Sequence, residues 1–362
     1  MSLVFNMVGG GGGGIKLTGI AITTPPTKTT YTQGETFDPA GMVVTATYSN
    51  GATLKCTGYS YEPNTPLADG TTKVTIRYTE GGVTKTAEQE ITVTAPVVIG
   101  VLNDCTWAQI REISDTGQAA NYWSIGDRKA VTLNGTVGKL SLSNVTTYAF
   151  IIGFNHNASV EGANRIHFQL AKTALSGGTD VCFCDNRYAP DSGWSSPGAG
   201  YFVMNAKAPN SGGWKSSQMR TNICGTSLSS YSGTIIAVIP AALRAVLKSV
   251  TKYTDNTGDE STAANAVTAT TDYFFLLSEY EVFGSISYAN SNESSKQAQY
   301  TYYSAGNSKI KYKHNGTNSA AYWWLRSPSA IISNQFVNVG TDGATDRSTS
   351  HYSFGFAPGF CV

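Results

Sequence analysis

The sequence predicts a β-rich, multi-domain protein: a small β-sandwich followed by a larger α+β domain. Three observations carry this reading. Residues 15–95 fall into short period-two runs separated by turn residues at regular spacing. A helical apolar stripe opens the region from residue 102, and further strands follow it. The composition is polar but uncharged: Gly is 38 of 362 residues, and only 14% are charged, against about a quarter in an average globular chain.

Length suits two or three domains, and 41% hydrophobic with 11% aromatic residues supplies enough area for packed cores. A net charge of +1 without a long basic run gives no support to a nucleic-acid surface. No apolar run approaches the length of a spanning helix, so no membrane insertion is expected. Met1-Ser2-Leu3-Val4-Phe5-Asn6-Met7-Val8 lacks the basic and long apolar regions of a secretory signal. A surface-style composition without such a signal fits a protein assembled into a particle in the cytoplasm and released by lysis.

Residues 1–14 are read as an N-terminal segment ending in the glycine run 9–14, a flexible joint. Residues 1–8 are either an anchor to a larger assembly or a segment of engineered origin. In the 15–95 sandwich, Leu17-Thr18-Gly19-Ile20-Ala21-Ile22-Thr23, Met42 to Tyr48, Thr72 to Tyr78 and Val83 to Thr94 are the main strands. Ser49-Asn50-Gly51-Ala52 and Glu80-Gly81-Gly82 are turns between them. Residues 96–101 form a linker, and the second domain covers 102–362.

That domain opens with a helix: Thr106 is the N-cap, and Trp107, Ile110 and Ile113, with Ala108, form its apolar stripe, ended by Gly117. Strands follow at 129–133, 139–142 and 148–154, with Asn134-Gly135 as a turn. The stretch 172–232, rich in Gly, Ser, Asn and Asp, reads as insertions around a sheet. A second helix begins at Pro240, with Leu243, Val246, Leu247 and Val250 at helical spacing. Glu279 and Glu281 alternate on a predicted strand.

The C-terminal region 321–362 is a frame around two polar runs. Tyr322-Trp323-Trp324-Leu325-Arg326-Ser327-Pro328 opens it and Phe354-Gly355-Phe356-Ala357-Pro358-Gly359-Phe360-Cys361-Val362 closes it. Trp323 and Trp324 leave opposite faces of a strand, so both faces are expected to be covered. Arg326 is expected to be buried with a carboxylate or carbonyl partner. Between the ends, 329–335 and 341–353 carry little core information, and loops on a rigid frame are where binding concentrates.

Other chemistry is thin. The six cysteines (56, 105, 182, 184, 224 and 361) are irregularly spaced and read as buried thiols, with a Cys105–Cys361 disulfide left open. His156, His167, His314 and His351 show no metal-ligand spacing; the first two read as structural and His351 equally as a surface contact. No phosphate loop or nucleophile elbow is present. No catalysis, metal or cofactor is expected. Tyr300, Tyr302 and Tyr303 either enlarge the C-terminal surface or pack.

Two resemblances refine this picture. Tyr31-x-x-Gly34-Glu35-x-Phe37-Asp38, Gly41-x-x-Val44, Tyr48-x-x-Gly51 and Val74-x-Ile76-x-Tyr78 resemble bacterial immunoglobulin-like (Ig-like) domains, which implies a spacer or accessory adhesion module. Glu62-Pro63-Asn64 there matches the calcium- and mannose-coordinating tripeptide of true C-type lectins, but it falls in the wrong domain and reads as a turn. The second resemblance rests on Trp323-Trp324-Leu325-Arg326-Ser327-Pro328, the closing Gly355 to Phe360 segment, Tyr122-Trp123-Ser124-Ile125-Gly126-Asp127, Gly213-Trp214 with Met219-Arg220, and Phe275 to Gly284. In order, these resemble a C-type-lectin-like domain of phage and prophage tail proteins.

In such families the C-terminal segment is often the variable region of a diversity-generating retroelement, which rewrites adenines in selected codons. The resemblance implies a receptor-binding or adhesion protein in the virion, carrying a hypervariable surface. Its partners would be a host cell-surface protein or glycan and other virion tail proteins. Homo-oligomerisation stays open. The variable, ligand-binding positions it implies are Ser329, Ile331, Ser333, Asn334, Thr341, Asp342, Ala344, Thr345, Asp346, Arg347, Ser350, His351 and Tyr352. The scaffold positions are Trp323, Trp324, Arg326, Pro328, Gly355 and Pro358. The alternative is a fixed-specificity adhesin or carbohydrate-binding module on the bacterial cell surface. The same fold is shared with formylglycine-generating and sulfoxide-synthase-type oxidases, whose cysteine or histidine-triad patterns are not matched.

Overall fold

A computed structural model describes residues 14–95, 99–188, 198–207 and 209–362. The expected segment 1–8, the glycine run up to residue 13, linker residues 96–98 and part of the 172–232 stretch lie outside the described residues. The chain divides into two units, Met1–Val98 and Ile99–Val362.

Among the described residues of the first unit, every regular element is a strand: β1 (Leu17–Thr24), β2 (Thr30–Thr32), β3 (Val43–Tyr48), β4 (Thr53–Lys55), β5 (Ser60–Glu62), β6 (Lys73–Glu80), β7 (Val83–Glu90) and β8 (Thr92–Thr94). They form sheets β1-β3-β4, β5-β6-β7 and the parallel pair β2-β8. Alternation decides which side faces in: Val74 and Ile76 of β6 are buried, Thr75 between them is half-buried, and Lys73 and Arg77 on either side are exposed. The β6–β7 hairpin closes through Gly81 and Gly82, with φ of +56° and +79°. Two successive positive φ values suit glycine and match the twist of the strands.

The second unit opens with α1 (Trp107–Asp115), capped reciprocally by Thr106 and Gln109, with Trp107, Ile110 and Ile113 buried. Its strands are β9 (Arg128–Val137), β10 (Leu140–Phe154), β11 (Ile166–Lys172), β12 (Val181–Cys182), β13 (Val250–Asp255), β14 (Val267–Asp272), β15 (Phe274–Phe275), β16 (Lys311–Lys313), β17 (Gly316–Ala321), β18 (Trp323–Pro328), β19 (Gln335–Val339), β20 (Thr345–Thr349) and β21 (Gly359–Cys361). A five-stranded sheet runs β15-β21-β11-β10-β9. Its β21 comes from the chain's last residues and pairs on both sides, so the closing aromatic segment is core: Phe360 stacks on Phe168 at 5.2 Å. A second antiparallel sheet, β18-β19-β20, carries the C-terminal region.

Several sequence expectations change. Asn134-Gly135 is not the hairpin turn; the chain continues as β9 to Val137 and reverses at Gly138, whose φ is +55°. The strands expected at 139–142 and 148–154 are one, β10. The helix at Pro240 is a single turn (Ala241–Arg244), because Lys248 bridges to Cys361 and Val250 enters β13. Glu279 and Glu281 lie on a short helix (Glu279–Phe283) started by a Ser278–Glu281 capping box. All six cysteines are free and buried, so Cys105 and Cys361 are not paired. Tyr300, Tyr302 and Tyr303 are buried and pack.

Candidate functional site

Strand β18 is covered on both faces. Trp323 and Trp324 are both fully buried, as adjacent rings on opposite sides of a strand require if both sides are packed. Trp323 Nε1 donates to Lys309 O at 2.9 Å and Trp324 Nε1 to Phe202 O at 3.1 Å. The Trp324 ring stacks on Phe354 at 4.7 Å. Pro328 is buried at the strand's end. Gly355 N donates to Tyr322 O at 2.8 Å, and Trp324 N to Gly355 O at 3.0 Å. A Cβ on Gly355 would overlap Cys182 Sγ and lie 2.9 Å from Tyr322 O, so only glycine fits between them. Pro358 O accepts from Leu170 N at 3.0 Å, tying the closing segment to β11.

Arg326 anchors β18 to the rest of the unit. Its Nη1 and Nη2 meet Glu281 Oε2 and Oε1 at 2.5 and 2.9 Å, its Nε donates to Thr254 Oγ1 at 2.7 Å, and Nη1 also reaches Leu276 O at 2.9 Å. Lys252 Nζ sits on Glu161 Oε2 at 2.6 Å, Glu281 Oε1 at 2.9 Å and the Tyr300 hydroxyl at 2.8 Å. All six side chains, Thr254 included, are buried. Burial alone would raise the Glu281 carboxyl, but Arg326 and Lys252 outweigh it and hold it well below the usual carboxylate range. Glu161 and Glu293 are each pushed up to about 7, chiefly by burial. Burial lowers His156 to about 3, leaving it neutral.

His156, Glu161 and Glu281 could offer metal ligands, their donor atoms lying within 4.8 Å of one another. However, Lys252 already stands between the two carboxylates, and Lys252 and Arg326 balance their charge. A divalent ion would bring excess positive charge into a dry site. The cluster fits a structural ion-pair network.

Above this base, the 329–335 loop is held by its backbone. Asn210, fully buried, donates Nδ2 to the carbonyls of Gln335 (2.8 Å), Ser329 (3.2 Å) and Ile332 (3.4 Å). Asn210 N also donates to Ser333 O at 2.6 Å, and its Oδ1 accepts from Asp259 N at 2.7 Å. Ala330 N reaches Tyr288 O at 2.8 Å, and Ser333 N reaches Glu260 Oε1 at 3.1 Å. Ser329 Oγ accepts from Ile331 N and Ile332 N at 3.1 and 3.2 Å. Neither Ile331 nor Ser333 contributes a side-chain bond to this arrangement, and Ile331 is 50% exposed.

The 341–353 run is not one loop. Thr345–Thr349 is β20, paired residue for residue with β19, and Gly340 to Ala344 form the hairpin tip. Gly343, at φ +83°, closes the tip, and Asp342 Oδ1 accepts from Ala344 N at 3.0 Å. Thr341, Asp342 and Ala344 are exposed there. Ile331, Ser333 and Asn334, with His351 and Tyr352, gather at the other end of the hairpin, about 14 Å away at the rise of a strand.

Along the edge, Thr345 Oγ1 donates to Glu279 Oε1 at 3.0 Å and the Arg347 guanidinium stacks over Tyr288 at 4.4 Å. Asp346 Oδ1 accepts from Arg347 N at 2.7 Å. Ser333, Asn334, Thr345, Asp346, Arg347, His351 and Tyr352 are half-buried. Ser329 and Ser350 depart from the outward orientation expected of them, at 1% and 0% exposure. Ser329 caps the loop, and Ser350 N and O bind Asn334 O and Asn205 N.

Asn210, Glu260 and Tyr288 were not singled out in the sequence, and Glu279 was read only as one of a pair on a strand. Glu279 accepts from the main-chain N of Ser287, Tyr288 and Ala289, so one carboxylate organises the segment that faces β20. The Ser278-x-x-Glu281 capping signature was legible and points to this helix. Asn210 lay in a run of turn residues with nothing to distinguish it.

Residues 24–94 match the bacterial Ig-like domain (group 3) family, so the N-terminal unit carries an Ig-like domain. Residues 201–362 match a domain of unknown function, DUF6273. That match contains Asn210, Glu281, Arg326 and the whole C-terminal region, but begins after β9 to β12, although β21 pairs with β11. No curated protein gives a significant match.

Proposed function

We propose that this chain is a receptor-binding or adhesion protein of a phage or prophage tail. Its second unit, as a C-type-lectin-like display domain, would bind a host cell-surface protein or glycan without catalysis or cofactor. The C-terminal surface would be diversified by a retroelement, and the Ig-like domain would serve as a spacer or accessory adhesion module among other tail proteins.

The observation that carries this reading is the clamp on 329–335: Asn210 and Ser329 bond the loop's main chain, not its exposed side chains. A loop held that way keeps its path when Ile331 or Ser333 changes. The surface mixes an exposed Ile331 with Arg347, His351 and Tyr352, a combination of anchors and adaptable polar groups suited to recognition.

A fixed-specificity bacterial surface adhesin or carbohydrate-binding module is the second reading. It is favoured by the contacts that Asp342, Thr345, Asp346 and Arg347 make within the fold, which restrict exchange along the hairpin.

Scrambling Ile331, Ser333, Thr341, Ala344, His351 and Tyr352 together tests the binding surface. Loss of adsorption to host cells with retained thermal stability is expected. Undiminished adsorption would remove the assignment. A neighbouring reverse-transcriptase gene with an adenine-differing template repeat would decide for the diversified reading over the fixed one.

A further inference from the structure

A cleft of about 680 Å³ opens in the second unit between the 172–180 turn and the β16–β17 hairpin. Arg128, Lys172, Asp180, Tyr302, Tyr312 and Asn318 give it its chemistry. None of the residues 329–352 lines it, although Ile310 in its wall backs onto Gly343 at the hairpin tip.

Its charge is unbalanced. Asp180 is the one carboxylate among the described lining residues, and Lys172 Nζ already rests on it and on the Tyr302 hydroxyl (2.9 Å). Arg128 has no carboxylate partner among the described residues; Nη1 donates to Ala174 O at 2.6 Å and Gly177 O at 2.5 Å, fixing the guanidinium. Strand alternation turns Lys311 away from the cleft into the floor behind it, between the Phe150 and Trp323 rings at 5.4 and 5.1 Å. Its Nζ is fully buried and has no hydrogen-bond partner among the described residues. Burial lowers Lys311 to about 8, with Asp180 pulling the other way, so it stays largely charged at neutral pH. Two lining cations, Arg128 and Lys172, thus face one carboxylate, with the buried Lys311 adding positive charge behind the floor.

The walls add the half-buried Tyr312 as flat apolar surface and Asn307, Asn318 and Thr317 as amides and a hydroxyl. Flat aromatic surface with amide and hydroxyl donors suits a pyranose ring, and the excess positive charge suits an acid group on it. We propose that this cleft binds an acidic saccharide, its carboxylate toward Arg128 and Lys172 and its ring against Tyr312. The inference does not depend on the reading of the C-terminal surface.

Calorimetric titration of the full chain with 3′-sialyllactose, a hyaluronan tetrasaccharide, lactose and inorganic phosphate tests it. At least one acidic saccharide should bind, at least about tenfold more tightly than lactose, and more weakly as salt rises. The variant Thr317→Glu with Asn318→Asp, at two exposed rim positions, should keep its melting temperature and lose about tenfold in affinity. Equal binding of lactose, undiminished binding by the rim variant, or binding of phosphate or of nothing at all without either acidic saccharide would each overturn the proposal.

Discussion

Arg326 grips Glu281 with both terminal guanidinium nitrogens, at 2.5 and 2.9 Å, and both side chains are fully buried. The pair joins β18, which carries the candidate surface, to the core helix Glu279–Phe283. Removing one member leaves an uncompensated charge in a dry site. Arg326→Met is therefore expected to cost about 3–5 kcal/mol in urea unfolding. Arg326→Lys should recover little, since a single ammonium cannot replace the fork.

Asn210 is the second support. Asn210→Ala removes its side-chain bonds to three carbonyls of the 329–335 loop. A loss of about 2 kcal/mol or more is expected, because buried carbonyls lose their donor. Amide exchange should quicken across 329–335, while Ile331→Ser, at an exposed position, should change stability by less than about 0.5 kcal/mol.

Gly355 faces Cys182 at a distance that leaves no room for a side chain. Gly355→Ala should destabilise by about 1–3 kcal/mol through overpacking. Combining it with Cys182→Ala should recover part of the loss, since Sγ is the nearest obstacle, while the Cβ of residue 182 at 2.8 Å and Tyr322 O at 2.9 Å from the added carbon remain. Simple additivity in this double-mutant cycle would contradict the contact.

Glu293 predicts a pH effect. Burial raises its carboxyl to about 7 from an ordinary 4.5, so the native state holds a proton that the unfolded chain releases. Its contribution is fully present below pH 4.5 and is lost as pH rises through 7, with a slope of at most about 1.4 kcal/mol per unit. His156, lowered to about 3, acts oppositely: it is neutral when folded and protonated when unfolded below its ordinary 6.5. Glu161, raised like Glu293, and His167, lowered by burial like His156, add to the two sides, so the net profile is shallow. The difference between the wild type and Glu293→Gln isolates the effect and should fall between pH 4.5 and 7.

Local signals carried much of this fold. Period-two alternation with Gly81-Gly82 marked the β6–β7 hairpin, and Thr106 with its apolar stripe marked α1. The two tryptophans and Arg326 told of a strand covered on both sides. What the sequence withheld was long-range. The apolar spacing after Pro240 looked helical, but Lys248 is drawn into pairing with Cys361. The run after residue 341 looked like a loop because β20 is a half-buried edge strand of polar residues. Asn210 became important only through carbonyls well over a hundred residues away, and Ser329 and Ser350 resembled surface serines until their main-chain partners were in place.

The most direct measurement is the folded fraction of a library randomised at Ile331, Ser333, Thr341 and Ala344, compared with one randomised at Ser329, Trp324, Asn210 and Ser350. If the frame alone fixes the backbone, most members of the first library should fold and melt within about 3 °C of the parent, a shift worth roughly 1 kcal/mol, while most of the second should fail. Equal failure in both would mean that the exposed side chains help hold the surface in shape, and the account of a variable face on an invariant frame would be wrong.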